Sequence, residues 1–201
     1  MDEAHGTHKY LNGNLNISAM EEPFLIFLLK CLYLMLPAYF ANMAPVIVKK
    51  INFLAYPVDF NKRLNNKPIL GSHKTFRGFF FGIIFAVIIA YLQHIFYPLP
   101  AIRTISFHDY DNWLAFGFLM GAGALVGDSI KSFFKRKDDI APGNMFFPFD
   151  QVDFVIGGLI FIMPLFSLTI GIFFTSIAVS LVLHVLVNHI AFYLKIRNEK
   201  W

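Results

Sequence analysis

A charged stretch between two apolar runs contains residue types suited to phosphoryl chemistry. If the preceding helix continues past Gly127, five polar side chains share one stripe of it: Asp128, Lys131, Ser132, Lys135 and Arg136. A carboxylate can hold Mg²⁺, while a hydroxyl and several cations suit phosphate oxygens. An amphipathic helix end, with Asp128 paired to Lys131 and the cations facing anionic lipid, explains the same pattern.

Two further acids, Asp150 and Asp153, lie directly before the next apolar run. Their i, i+3 spacing places both on one face of the expected helix start. Capping and the helix dipole readily explain one acid there. Two acids also suit a hard cation, because Mg²⁺ is often held by one or two carboxylates with phosphates and water completing its shell. Capping and metal binding are therefore the two interpretations of this pair.

A third polar group, LGSHKTFRG at residues 70–78, precedes another apolar run. Lys74, Thr75 and Arg77 would lie at a helix N-terminus, where free N–H groups and the dipole favour anions. The pattern predicts a phosphate site that faces the charged stripe from more than fifty residues away in sequence. The alternative is that Lys74 and Arg77 only extend their charged ends towards the membrane edge.

Asn42 is the polar residue of interest within the first apolar run, where it lies between Pro37 and Pro45. The prolines interrupt backbone pairing, and the amide needs hydrogen-bond partners that lipid does not supply. We therefore expect Asn42 to face protein or a polar cavity.

These residues must be positioned by helices in a bilayer, because 57% of the 201 residues are hydrophobic and only 15% are charged. A hydrocarbon core of roughly 30 Å needs about 20 apolar residues per helix. The last apolar tract is long enough to cross twice, with a turn near residues 164–171. The sequence predicts an all-α integral membrane protein with five transmembrane helices, drawn from residues 24–48, 78–97, 113–127 and 154–194. We expect a polar extension over residues 1–23 and one catalytic domain over residues 24–201.

Lys and Arg residues concentrate in the loops 49–77 and 128–152 and after the last span, which predicts that these segments are cytoplasmic. The N-terminus is then outside, the C-terminus is cytoplasmic, and the two long cytoplasmic loops form the site at the cell membrane. The net charge of +4 therefore reports membrane orientation and anionic ligands, and nucleic acid is not an expected partner. A single cysteine, Cys31, excludes an intrachain disulfide.

Four blocks together resemble the CDP-archaeol synthases, membrane cytidylyltransferases related to the CDP-diacylglycerol synthases. They are LPAYFANMAP at 36–45, PVDF at 57–60 with LGSHKTFRG at 70–78, GDSIKSFFKR at 127–136, and DQVD at 150–153. The resemblance implies that CMP is transferred from CTP to a lipid phosphate within the membrane, releasing pyrophosphate, with Mg²⁺ as cofactor. The implied lipid is an unsaturated archaetidic acid-type ether lipid phosphate.

The resemblance also implies roles for individual residues. Asp128, Asp150 and Asp153 would hold Mg²⁺ and act in catalysis with Lys131. The implied substrate-binding residues are Asn42, Lys74, Thr75, Arg77, Ser132, Lys135 and Arg136. A synthase acting on phosphatidic acid and a small anion transporter are the alternative functions. A homo-oligomer is a further expectation.

Overall fold

The structure, a computed structural model, describes residues 23–140, 144, 146–193 and 195. The predicted extension lies outside the described residues, apart from Pro23. The prediction of one catalytic domain over residues 24–201 stays a prediction. The described elements are α1 (Phe24–Ile47), a 3₁₀ turn (Val48–Lys50), β1 (Arg63–Leu64), β2 (Lys67–Pro68), α2 (Phe76–Phe96), α3 (Pro100–Thr104), α4 (Trp113–Lys137), α5 (Phe149–Ile162) and α6 (Ile170–Tyr193).

Four of the described helices are long and apolar enough to cross a membrane: α1 with its 3₁₀ turn, α2, α4 and α6. The mostly helical membrane fold is thus confirmed. Four of the five predicted spans correspond to helices long enough to cross the membrane, and the fifth is not confirmed. Helix α5 has 14 residues, or about 21 Å at 1.5 Å per residue, which is short of the hydrocarbon core. The helix ends at Ile162 because Pro164 follows two residues later, and the acids in its first turns make that part too polar for the hydrocarbon core.

The turn after α5 lies where the sequence predicts it, because the chain leaves helical structure between Ile162 and Ile170. Helix α4 continues past Gly127 to Lys137, which is the condition for the predicted polar stripe. Three basic residues in its last turn complement the negative end of the helix dipole. One helix therefore combines an apolar segment with a charged end.

Helix α4 packs against α1, α2 and α5, and its contact with α5 is the most extensive of all helix pairs. Two glycines of α4, Gly123 and Gly127, lie against α5 at the level of Gly157 and Asp153. A Cβ on Gly127 would overlap the carbonyl oxygen of Asp153, and one on Gly157 would overlap that of Gly123. Such small residues allow two helix backbones to touch. Asp128 and Asp153 are brought together by this contact.

The long loop before α2 is ordered by backbone hydrogen bonds to the start of that helix. Val58 N–H donates to the Lys74 carbonyl at 2.8 Å, and Phe76 N–H donates to the Tyr56 carbonyl at 2.9 Å. The Thr75 hydroxyl accepts from the Gly78 N–H at 3.2 Å and caps α2. The loop thus places residues 70–75 beside the first turn of α2, at the end of the helix that the sequence predicts to be cytoplasmic.

Candidate active site

Lys131 is the centre of a cluster of largely buried charges at the end of α4. Its Nζ lies 3.1 Å from Asp128 Oδ1, 3.0 Å from Asp150 Oδ1 and 2.9 Å from Asp153 Oδ2. The three acids come from two helices that the glycine contact holds together. The i, i+3 spacing brings Asp128 to Lys131 on α4 and places Asp150 and Asp153 on one face of α5, and the helix contact joins the two pairs.

Two more lysines complete the charge balance of this cluster. Lys74 Nζ pairs with Asp128 Oδ2 and reaches it from the start of α2. Lys135 Nζ lies 3.2 Å from both oxygens of Asp150 and donates to the Asn144 carbonyl at 2.5 Å. Because three carboxylates and three ammonium groups alternate here, none of these charges is buried without a partner. We name these six residues the acid–lysine cluster.

The two acids of α5 differ in their protonation chemistry. Burial opposes ionisation of Asp150, but the Lys131 ammonium and the Phe146 N–H outweigh burial and hold the pKa of Asp150 below its ordinary value. Burial raises the pKa of Asp153 despite Lys131, and the negative charge of Asp128 raises it further. The environment therefore favours a firmly ionised Asp150 beside an Asp153 that is more readily neutralised.

The carboxylates of the cluster fit Mg²⁺ in a site where part of the metal's shell comes from the substrate. Within the described ranges, no three His, Cys, Asp or Glu side chains are grouped as ready ligands of a metal ion. The carboxylates surround an ammonium instead, and buried Asp153 Oδ2 has no aligned hydrogen bond although it lies 2.9 Å from Lys131 Nζ. Because Mg²⁺ often takes only one or two carboxylates and completes its shell with phosphate and water oxygens, the residues fit a metal that arrives with a phosphate ligand.

Two polar cavities open beside the cluster and share Lys74, His73 and Asp128. The larger has a volume of about 510 Å³ and is also lined by Asn42, Thr75 and Arg77. The smaller, of about 240 Å³, is lined by Lys131, Ser132, Lys135 and Arg136 among others. All of the predicted substrate-binding residues therefore line one of these two cavities.

Several of these predicted residues also make contacts that hold the protein together. Arg77 donates to the Ile51 carbonyl at 2.5 Å, which ties the start of α2 to the 3₁₀ turn. Ser132 donates to the Asp128 carbonyl of its own helix at 2.8 Å. With the Thr75 cap, these bonds mean that a substitution at any of the three residues changes local structure as well as the cavity lining.

An apolar groove of about 520 Å³ is lined by residues of α4 and α5 and by the loop between them. Three charged side chains, those of Lys131, Asp138 and Asp153, also line it. Its remaining lining is mainly apolar: Val126, Ile130, Phe134, Phe146, Phe149, Ile156, Ile160 and Phe161. The cluster thus lies between the polar cavities and the apolar groove. Lys131 lines both the smaller polar cavity and the groove.

Sequence reasoning missed three features of the site. The Gly123, Gly127 and Gly157 contact is signalled only by small residues at a four-residue spacing, which is common in apolar helices. His73 lines both polar cavities, but the sequence offers no separate signal for it. The groove depends on the angle between two helices, and no residue pattern reports that angle directly.

The fold and the site together define an integral membrane protein with a buried charge cluster suited to phosphate ligands. A family model described as CarS-like CDP-archaeol synthase matches residues 24–201. The chain belongs to the CDP-archaeol synthase family, and it is therefore a membrane cytidylyltransferase, a CTP-dependent enzyme whose second substrate is a lipid phosphate.

Relatives from several archaea support this membership. The CDP-archaeol synthase of Pyrococcus furiosus is 33% identical over 175 residues, covering 87% of this chain and 98% of the relative. That of Methanococcus maripaludis is 33% identical over 181 residues, covering 88% and 98%. A solved structure, described as an intramembrane enzyme for archaeal membrane lipid biosynthesis, has a TM-score of 0.64 and 28% identity, covering 78% of this chain and 91% of its own.

Proposed function

We propose that the protein transfers CMP from CTP to an unsaturated archaetidic acid-type ether lipid phosphate, giving a CDP-activated ether lipid and pyrophosphate. The observation that carries the proposal is the position of Lys131, which lines both a polar cavity and the apolar groove. Nucleotide phosphates entering from the polar side and a lipid phosphate entering along the groove would meet at this ammonium. The family of the relatives supports the ether lipid.

The reaction needs no covalent residue, because a lipid phosphate is already an anionic nucleophile. A lipid phosphate oxygen attacks the α-phosphorus of CTP, a new P–O bond forms, and the bond from that phosphorus to the bridging oxygen breaks as pyrophosphate leaves. The protein must hold the two anions in line and offset their mutual repulsion. In this proposal the three lysines of the acid–lysine cluster offset that repulsion, and its three carboxylates hold the lysines in position.

Each part of the site has a proposed role in that step. Lys74, Arg77, Lys135 and Arg136 bind triphosphate or lipid phosphate oxygens, and Lys131 bridges the two substrates. The neutral side chains Asn42, Thr75 and Ser132 orient the nucleotide. Asp128, Asp150 and Asp153 are the proposed ligands of Mg²⁺, of which one or two would coordinate it directly, and the ion would supply positive charge to the triphosphate oxygens. We place this site at the cytoplasmic face of the cell membrane, because the basic loops lie there by the charge rule.

A substrate panel tests the proposal. Purified protein is supplied with CTP, ATP, GTP or UTP, with Mg²⁺ or a chelator, and with either the unsaturated ether lipid phosphate or phosphatidic acid; lipid products are measured by mass spectrometry. We expect a CDP-lipid only with CTP, Mg²⁺ and the ether lipid. Equal turnover of phosphatidic acid would assign a broader synthase, and uptake of unchanged nucleotide into proteoliposomes without any CDP-lipid would favour a transporter.

A further inference from the structure

Asp59 lies outside the acid–lysine cluster, in the loop between the 3₁₀ turn and α2, and is only 9% exposed. Its Oδ1 accepts the Asn61 N–H at 3.0 Å. Its Oδ2 accepts two more backbone N–H groups, from Leu70 at 2.9 Å and Gly71 at 3.2 Å. One buried carboxylate therefore joins two parts of the loop that are separated by the β1–β2 hairpin.

These hydrogen bonds fix the first residue of the segment that carries Lys74. Gly71 has a φ of +90°, a conformation that side-chain-bearing residues rarely adopt. Its carbonyl accepts the Lys74 N–H at 3.3 Å, and the Lys74 carbonyl accepts the Val58 N–H at 2.8 Å, one residue before Asp59. The segment 71–74 is thus held at both ends by the chain around Asp59.

The segment held in this way faces the site. Lys74 pairs with Asp128, and both Lys74 and His73 line the two polar cavities. Asp59 lines none of the three described cavities. Its hydrogen-bond partners Leu70 and Gly71 line the smaller cavity, so the direct route from Asp59 to the site runs through Leu70 and the segment 71–74.

We propose that Asp59 is a positioning residue that sets the place of Lys74 in the nucleotide site. This inference rests on the proposed function, which gives Lys74 a phosphate of the nucleotide. The carboxylate is needed because both of its oxygens accept N–H groups, whereas an asparagine would turn an NH₂ group towards one set of donors. A carboxylate that only stabilises the loop would change stability without acting through Lys74.

A double-mutant cycle on CTP kinetics tests the coupling between the two residues. Asp59→Asn should lower kcat/KM for CTP at least about tenfold, with most of the change in KM. Lys74→Ala alone should lower kcat/KM more than Asp59→Asn alone does. If Asp59 acts through Lys74, adding Asp59→Asn to Lys74→Ala should cause no further loss. Losses that multiply, or an Asp59→Asn enzyme within twofold of wild type, would overturn the proposal.

Asp109→Asn is a matched control in the loop before α4. Asp109 Oδ1 accepts the Asp111 N–H at 3.2 Å, which is the same i to i+2 contact that Asp59 makes with Asn61. We expect its CTP kinetics to equal those of wild type. If Asp59→Asn does not fold, Gly71→Ala gives the second route. The added Cβ has room, with Arg136 Cδ nearest at 3.8 Å, so only the backbone of the segment is strained. Unchanged CTP kinetics in Gly71→Ala would also overturn the proposal.

Hydrogen exchange separates this proposal from the proposed function. The Leu70 and Gly71 amides should be protected in wild type and should exchange at least about tenfold faster in Asp59→Asn, whatever lipid the enzyme uses. Unchanged exchange at both amides would overturn the positioning role. A wild-type enzyme that exchanges as expected but transfers no CMP would overturn the proposed function instead, together with the kinetic consequence assigned to Asp59.

Discussion

At the scale of single residues, the central feature is Lys131, whose ammonium touches three carboxylates on two helices. Burying six charges is expensive, and an apolar cluster of similar volume is often as stable or more stable. A fold that only needed helix packing at this point would gain little from such a network. The acid–lysine cluster is therefore better explained by binding of the negatively charged phosphates of the substrates than by helix packing.

Asp153→Asn keeps the shape of the side chain and removes its charge, which makes it the sharpest test of the cluster. We expect CMP transfer to fall at least about 100-fold, because a proposed Mg²⁺ ligand and a charged partner of Lys131 is lost. Thermal stability should change by only a few degrees, since burial already disfavours the ionised form of Asp153. Turnover and the thermal unfolding midpoint measure the two effects.

The control for Asp153→Asn is Asp111→Asn, at an exposed acid in the loop before α4. It should leave both turnover and the midpoint unchanged. Full activity in Asp153→Asn would remove Asp153 from the site.

Sequence reasoning reached most of the cluster because i, i+3 and i, i+4 spacing on a helix is a local property. Asp128, Lys131 and Lys135 follow from the continuation of α4, and the expected approach of the segment 70–78 appears as the pair of Lys74 with Asp128. Arg77 differs, because its guanidinium binds the Ile51 carbonyl, a partner set by the path of the loop. The position of Asp59 lies in the PVDF block of the resemblance, but its role was not predicted, because its bonds to Leu70 and Gly71 depend on the path of an irregular loop and not on helix periodicity.

At the scale of elements, the contact of α4 with α5 determines the spacing between Asp128 and Asp153. Gly127→Ala should separate the helices, because the new Cβ would overlap the Asp153 carbonyl oxygen. Overpacking of this kind costs about 1–3 kcal/mol. We expect a lower thermal midpoint together with a loss of CMP transfer, measured on the same preparation.

Gly171→Ala, near the start of α6, is the matched control, because the nearest atom to its added Cβ would be Thr169 Oγ1 at 3.8 Å. It should match wild type in both measurements. If Gly127→Ala also matched wild type, the helix contact would not be what places the two acids.

At the scale of the whole molecule, hydropathy predicted the apolar helices. A segment in lipid has no water to pair with its backbone N–H and C=O groups, so an apolar run of that length must form a helix. Hydropathy counted two spans in the apolar tract of residues 154–194, although the predicted turn near residues 164–171 leaves the first of them too short to cross, and α5 has only 14 residues. The orientation of the chain stays a prediction from the distribution of Lys and Arg.

Cysteine labelling tests that orientation, and Cys31 is the single native cysteine to be removed first. In a Cys31→Ala background, Asn65→Cys lies in the turn of the β1–β2 hairpin and Leu99→Cys lies between α2 and α3. An impermeant maleimide should label Asn65→Cys only in inside-out vesicles and Leu99→Cys only in right-side-out vesicles. The reverse pattern would place the site on the outer face.

The most direct test of the whole account follows the phosphates of CTP in the purified enzyme with the ether lipid phosphate. Label on the α-phosphate should enter the lipid fraction, and label on the γ-phosphate should leave as pyrophosphate, with both transfers lost in Asp153→Asn. Entry of the γ-label into lipid would show a kinase. No transfer of the α-label by the wild-type enzyme would contradict the claim that the acid–lysine cluster is a cytidylyltransferase site.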